Sequence, residues 1–193
     1  MKLMGLFFVR YHVLYDFWLE VVWEDVPDDL LRQRPHPRVN SIAWNLWHVA
    51  RVEDSALNRF VADNPQVLDA GGWLDKMGIP LRHNGFAMTL DEVDALSQQI
   101  DLKALRGYMA ALRKSTQEIV ANLDLAALDE TLTRERVTQV LVNEGLAGPR
   151  AEGLVDNYTG WSKSQCLMNL GLTHAYHHVG EINVICSLLG LEV

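Results

Sequence analysis

The chain has 193 residues, of which 49% are hydrophobic and 22% are charged, and its formal net charge is −8 at pH 7. This length and composition suit a single folded domain, residues 1–193, with a sizeable apolar core, and they exclude a disordered chain. The acidic excess and the lack of any basic run argue against a nucleic-acid-binding protein and against an electrostatic membrane anchor.

The amino-terminal segment is apolar, but Arg10 and Asp16 soon interrupt it. A signal peptide would need a longer apolar core, and a membrane-spanning helix needs about 20 apolar residues. We therefore expect a cytoplasmic protein. If one helix holds both Cys166 and Cys186, it places them roughly 30 Å apart, so no intrachain disulfide is expected.

Two long helices are predicted in the first third of the chain. The first covers residues 3–25 and ends before a proline. The sequence R-P-H-P, residues 34–37, then breaks any helix. Asn40 or Ser41 caps the second helix, which covers residues 42–62.

The middle of the chain contains a long connection and a third helical region. Gly and Pro recur through residues 63–88, which predicts an irregular segment with one short turn of helix. Thr89 and Glu92 form a T-x-x-E capping box that opens a helical region reaching about residue 123. Asp101 marks a break within that region.

The last third of the chain contains a short amphipathic helix over residues 134–145, a Gly- and Pro-containing loop over residues 146–160, and a fourth long helix over residues 162–189. The fourth helix starts with a second capping box, S-x-x-Q, and ends at Gly190. No segment alternates as a strand would. The sequence therefore predicts an all-α protein, a four-helix bundle with long crossover connections and a short extra helix.

The fourth helix carries three histidines in the apolar segment L-T-H-A-Y-H-H-V-G-E-I, residues 172–182. His174 and His178 lie one turn apart on the stripe that should face the core, Glu181 lies one turn beyond, and His177 falls at the edge. Two histidines at this spacing can bind one metal ion, and core histidines with hydrogen-bond partners are the alternative. The apolar members of the stripe are Leu167, Leu170, Ile185, Leu188 and Leu189.

A candidate for a third ligand, which spacing alone does not establish, lies in the stretch W-N-L-W-H-V-A-R on the second helix. His48 lies there in a position to face the fourth helix, although its own helical face also includes Ser55 and Arg59. Trp44 and Trp47 flank His48 and are candidates for the walls of a cofactor-binding pocket. The alternative is that both tryptophans are ordinary core residues.

These stretches resemble the DinB-like (DinB/YfiT) metal-binding four-helix-bundle superfamily. Its pattern is a lone His on the second helix, then H-x-x-x-H followed by x-G-[QE]-[IL] on the last long helix. The resemblance covers most of the chain and implies that His48, His174 and His178 hold one divalent metal, zinc or nickel, whereas His177 is not a ligand. The chain departs from the pattern at Glu181, where Gln is commoner, and in an insert over residues 125–160 that is longer than in many members.

The resemblance also implies a chemistry, because the superfamily includes thiol S-transferases and a thiol-dependent maleylpyruvate isomerase. A low-molecular-weight thiol would bind the metal as a thiolate and attack an electrophilic small-molecule substrate. Three neutral imidazoles suit this role, since they leave the metal's +2 charge intact. Glu181 is the candidate catalytic residue, either as a base or by orienting a ligand, and a structural carboxylate is the alternative. Arg82 and His83 are candidates for receiving an anionic substrate group, if they are not simply solvated.

Two further functions stay open at this point. One is a non-catalytic dimeric stress protein that binds a metal or a small ligand, and the other is a metal-dependent hydrolase. The first two helices are apolar on more than one side, which predicts a homodimer in either case.

Overall fold

The structure, a computed structural model, describes residues 3–148 and 151–192. Four long helices, numbered α1 to α4, form its frame, and three of them contain a π-helical stretch. Helix α1 consists of Leu3–Val13, the π-helical Leu14–Leu19 and Glu20–Asp25; α2 of Ile42–Asp54 and the π-helical Ser55–Val61; α3 of Leu102–Ala121; and α4 of Lys163–Gln165, the π-helical Cys166–Thr173 and His174–Leu188.

Shorter helices lie in the connections between the long ones. They are Asp28–Arg32, Val67–Ala70, Trp73–Met77, Leu90–Gln99, a 3₁₀ turn at Leu125–Asp129, Arg134–Thr138 with the π-helical Gln139–Asn143, and Ala151–Tyr158. No strand occurs in the described ranges, where one isolated bridge pairs Thr131 with Ser162. The prediction of an all-α bundle is confirmed.

The helix starts follow the predicted capping residues. The Ser41 hydroxyl accepts a hydrogen bond from the backbone N–H of Trp44 and so caps α2. A reciprocal capping box forms at Thr89, and another forms at Ser162 at the start of α4. Asp101 separates Leu90–Gln99 from α3 and caps α3. Local side-chain chemistry therefore sets these boundaries, as expected for N-caps.

Three sequence predictions differ from the structure. The helix Ala151–Tyr158 lies in the segment that was predicted to be a loop, because burial of Leu154 and Val155 outweighs the glycine signals around them. The connection over residues 63–88 contains two short helices rather than one turn. Leu188, predicted to face the core, is 57% exposed because it lies in the last turn of α4.

Helix α2 is the central element of the bundle. Every residue from Ile42 to Asp54 is buried, including Arg51 and Glu53. A helix that is buried all round has no polar face, which explains why the helical pattern around His48 was ambiguous. The charged residues of α2 must find partners inside the protein.

Arg51 and Asp54 form hydrogen bonds with each other and with the long connection over residues 63–88. The Arg51 guanidinium donates to Asp54 Oδ2 at 3.2 Å, to Gln66 Oε1 at 2.6 Å and to the Arg82 carbonyl at 2.6 Å. Asp54 in turn accepts hydrogen bonds from the backbone N–H groups that begin the helix Val67–Ala70. The buried ion pair thereby fixes both ends of the connection onto α2.

Glu53 forms hydrogen bonds with α1 and α3. Its carboxylate accepts hydrogen bonds from the hydroxyls of Tyr11 at 2.5 Å, Tyr15 at 2.6 Å and Thr116 at 2.7 Å, so it joins α1, α2 and α3. Burial raises the pKa of Glu53 to about 7, although the three hydrogen bonds act in the opposite direction.

None of the helices in residues 3–148 and 151–192 has the length and apolar composition needed to cross a membrane. Both cysteines are buried free thiols, as predicted, and burial raises the pKa of Cys166 to about 12.

Replacing Glu53 with Gln should remove a pH dependence of stability. The folded protein keeps a proton on Glu53 up to about pH 7, whereas the unfolded chain releases it near 4.5. Wild type should therefore lose free energy of unfolding relative to Glu53→Gln as the pH rises through this window. Urea denaturation of both proteins at several pH values measures the difference. The control is Glu118→Gln at an exposed carboxylate, and a pH-independent difference for Glu53→Gln would contradict the expectation.

Candidate metal centre

Three histidines meet between α2 and α4. His48 comes from α2, while His174 and His178 lie one turn apart at the start of the α-helical part of α4. One ring nitrogen from each residue lies within 4.8 Å of the other two. The Nε2 atoms of His174 and His178 are 3.1 Å apart. The prediction that these three residues share one site agrees with this geometry.

The second nitrogen of His48 is held by the long connection. Its Nδ1 is hydrogen bonded to the backbone carbonyl of Asn84. Because a carbonyl only accepts, Nδ1 carries the proton, and the lone pair on Nε2 is free for the cluster. The Trp44 ring stacks on the imidazole, with ring centroids 4.6 Å apart and planes at 15°, which fixes the orientation of the ring.

His178 is oriented in the same way by two acceptors. Its Nδ1 donates to Asn45 Oδ1 and to Glu181 Oε2, both at 2.8 Å. The Asn45 amide itself donates to the Ser41 carbonyl at 3.0 Å, so its oxygen is the atom turned toward the imidazole. Hydrogen bonds to the outer nitrogen of a ligating histidine fix its tautomer and raise its basicity.

Two of the imidazoles, those of His48 and His174, are neutral at pH 7. Burial, followed by the neighbouring His178, lowers the pKa of His48 to about 4. Burial and the adjacent histidines lower the pKa of His174 to about 2. Neutral imidazole is the form that binds metal ions, so these side chains need not lose a proton first.

The donor set fits a divalent metal ion. Two imidazole nitrogens bonded to one zinc ion at about 2.0–2.1 Å lie about 3.3 Å apart in tetrahedral geometry, close to the 3.1 Å between His174 and His178. Two lone pairs that face each other at this distance repel unless a proton or a metal lies between them. His174 presents Nε2 to the cluster, since this is the nitrogen next to Nε2 of His178. Its other ring nitrogen, Nδ1, is buried and has no hydrogen-bond partner among the described residues.

The structure places the other predicted site residues around the cluster, not within it. Glu181 contacts the outer nitrogen of His178 and is 41% exposed. His177 is 70% exposed and pairs with Glu181 at 3.2 Å. Trp44 lies against His48 and at the edge of His178, as a pocket wall should.

Trp47 packs against the long connection, where it contacts His83 and Gly85. A Cβ atom added at Gly85 would lie 2.6 Å from the Trp47 ring, and Gly85 has a φ of +87°, so this close approach needs glycine. Trp47 therefore supports the loop that carries the Asn84 carbonyl.

Arg82 and His83, the candidates for an anion site, form contacts with other residues of the protein. Arg82 forms a bidentate ion pair with Asp69, at 2.5 and 2.9 Å. His83 is half-buried against Trp47 and accepts a hydrogen bond from the Gly85 N–H. Neither side chain is directed to the three histidines by these contacts.

Sequence reasoning missed two residues that hold the cluster, Asn45 and Asn84. The signal for Asn45 was available, because a polar residue three positions before His48 in an otherwise apolar stretch needs a buried partner. Asn84 gives no such signal, since it acts through a backbone carbonyl that any residue supplies.

Comparisons with known proteins identify the family and agree with the fold. The sequence profile of the DinB superfamily matches residues 19–182, well over half of the chain. The crystal structure of a conserved protein from Enterococcus faecalis is similar, with a TM-score of 0.73 and 15% sequence identity over 98% of this chain and 99% of that one. At this identity the likeness shows the fold alone. None of the curated proteins matches the sequence.

Protein purified without chelator should contain close to one divalent ion per chain, and His174→Ala should lose most of it. His177→Ala is the matched control, because this exposed imidazole lies one helical turn from Glu181 and outside the cluster. Elemental analysis of the three proteins provides the measurement. Equal loss of metal in both variants would contradict the assignment of the ligands.

Proposed function

The chain belongs to the DinB superfamily, and from this membership and its cluster of three histidines we propose that it is a divalent-metal-dependent transferase that uses a low-molecular-weight thiol. The observation that carries the proposal is the gathering of three ring nitrogens within 4.8 Å with no carboxylate among them. A zinc or nickel ion bound there would supply an undiminished positive charge, which lowers the pKa of a thiol.

The residues around the histidines favour reaction with a small molecule that is shielded from water. Trp44 is 7% exposed and covers one side of His48. His48 and His178 are themselves only 8% and 7% exposed. A dry site strengthens electrostatic interactions with a charged nucleophile.

Glu181 is proposed to position His178 and to accept protons at the rim of the site. The hydrogen bond from His178 lowers the pKa of Glu181, so its carboxylate is ionised at neutral pH. Because the carboxylate contacts the outer nitrogen of His178 and is partly exposed, it can exchange protons with solvent. These contacts support the positioning role most directly.

The chain is also proposed to form a homodimer through one face of α1. Leu6, Val9, Val13 and Phe17 follow helical spacing on that face and are 43%, 53%, 37% and 57% exposed. A continuous apolar stripe of this kind marks an interaction surface, and a two-fold dimer covers the same stripe on both chains.

Metal-loaded protein should conjugate one or more small thiols to an electrophile, and a chelator should abolish the reaction. Glu181→Gln should keep the metal, since the amide oxygen can still accept from His178, but should lower kcat/KM by about 10- to 100-fold and change its pH profile. Steady-state assays of a panel of thiols and electrophiles measure this, with Glu118→Gln, an exposed carboxylate on α3, as the control.

Two negative outcomes have different meanings. If no thiol binds or reacts, the transferase proposal fails, and ester or amide hydrolysis by the same metal-loaded protein would favour a hydrolase. If Glu181→Gln reacts like wild type, only the role of Glu181 fails.

Light scattering after gel filtration should give the mass of a dimer for wild type and of a monomer for Val9→Lys and Phe17→Lys, because a charge cannot be buried in an apolar interface without a partner. Val142→Lys is the control, since Val142 is 45% exposed but lies outside α1. A monomeric wild type, or dimeric lysine variants, would contradict the proposed interface.

A further inference from the structure

A cleft of about 450 Å³ lies beside the three histidines, on the outer side of His178. The segment before α2 forms one wall, and α4 forms the other. Its volume is within the range of small-molecule sites. The lining residues that matter here are Arg38, Asn40, Gly180, Glu181, Val184 and Ile185.

One end of the cleft carries hydrogen-bond donors that have no protein partner. Arg38 is exposed, and it is the single arginine in the described ranges whose guanidinium lacks an ion pair, a hydrogen bond and an aromatic ring. The half-buried Asn40 likewise has no side-chain partner among the described residues. In a chain with a net charge of −8, a free guanidinium is a specific attractor for an anion.

The α4 wall of the cleft has an apolar part, formed by Gly180, Val184 and Ile185, beside the polar side chains of His177 and Glu181, and it has open space. Gly180 lies in the interior of α4, where glycine weakens a helix, and no atom lies within 4 Å of the position that a Cβ would take. Packing within the protein therefore gives no reason for a glycine there. Val184, one turn on, is 58% exposed and extends the apolar part of the wall.

We propose that this cleft binds a small monocarboxylate, with the carboxylate on Arg38 and Asn40 and an apolar body along Gly180 and Val184. Glu181 also lines the cleft, so a second carboxylate on the ligand would lie beside a group of the same kind and be disfavoured.

The cleft is linked to the metal centre by contact. Glu181 and Asn45 line it, and both accept hydrogen bonds from His178. A monocarboxylate bound there would be the anchoring part of a substrate. Calling this ligand part of a substrate rests on the proposed function. The binding itself does not, because it is measured without turnover.

The test uses three six-carbon probes, hexanoate, hexanamide and adipate, with chelator-treated and with metal-loaded protein. Isothermal titration calorimetry and saturation-transfer NMR should show saturable binding of hexanoate to both forms. Hexanamide lacks the charge and adipate carries a second one, so both should bind at least about tenfold more weakly.

Two variants locate the site on the cleft. Arg38→Gln removes the charge, and Gly180→Leu fills the space above α4, so each should weaken hexanoate binding at least about tenfold. Arg134→Gln and Gly153→Leu are the matched controls, a surface arginine outside the cleft and a helical glycine with open space above it. Thermal unfolding verifies that the variants are folded.

The inference is overturned if wild type shows no saturable hexanoate binding, if Arg38→Gln binds as tightly as wild type, or if binding disappears when the metal is removed. The last result would assign the anion to the metal instead of to Arg38. Hexanoate binding together with failed thiol assays would leave the cleft assignment standing and end the proposed function.

Discussion

The buried ion pair between Arg51 and Asp54 is the interaction on which the candidate site depends. Both side chains are completely buried, and breaking such a pair leaves an uncompensated charge, at a cost of about 3–5 kcal/mol. The pair is surrounded by hydrogen bonds that fasten the connection over residues 63–88 to α2. Because the Arg82 carbonyl is held there, Asn84 two residues later reaches His48.

The metal centre is thus assembled by contacts that lie outside it. His48 is oriented by a backbone carbonyl of the long connection, and His178 by Asn45, which is fixed in turn by the carbonyl of the residue that caps α2. Because these acceptors take the outer N–H groups, the inner nitrogens of His48 and His178 keep their lone pairs. The surrounding acceptors determine which ring nitrogen of His48 and of His178 carries the proton. These acceptors belong to elements that are far apart in sequence.

The charged residues of α2 show how one helix can serve as both core and functional scaffold. Its residues 42–54 are all buried, so its polar side chains find partners in different directions: Glu53 toward α1 and α3, Arg51 toward the long connection, and His48 toward α4. A polar network of this kind ties together elements that apolar packing alone would leave free to shift.

The sequence by itself determined the four long helices, the caps of three helices and the placement of His174 and His178 on one helical face, whereas His48 was assigned through the family resemblance. The capping residues Ser41, Thr89 and Ser162 act through hydrogen bonds to residues three positions away, and the spacing of His174 and His178 is fixed by one helical turn. Local chemistry of this range is readable from a sequence.

Tertiary structure alone decided the rest. The Asn84 carbonyl, the direction of Glu181 toward the outer face of His178, the engagement of Arg82 with Asp69 and the free Arg38 all depend on how segments far apart in the chain pack together. The helix Ala151–Tyr158 forms for the same reason, since burial of its apolar side chains against other elements outweighs its own glycine. Contacts between distant segments have no fixed spacing, so a helical pattern cannot predict them.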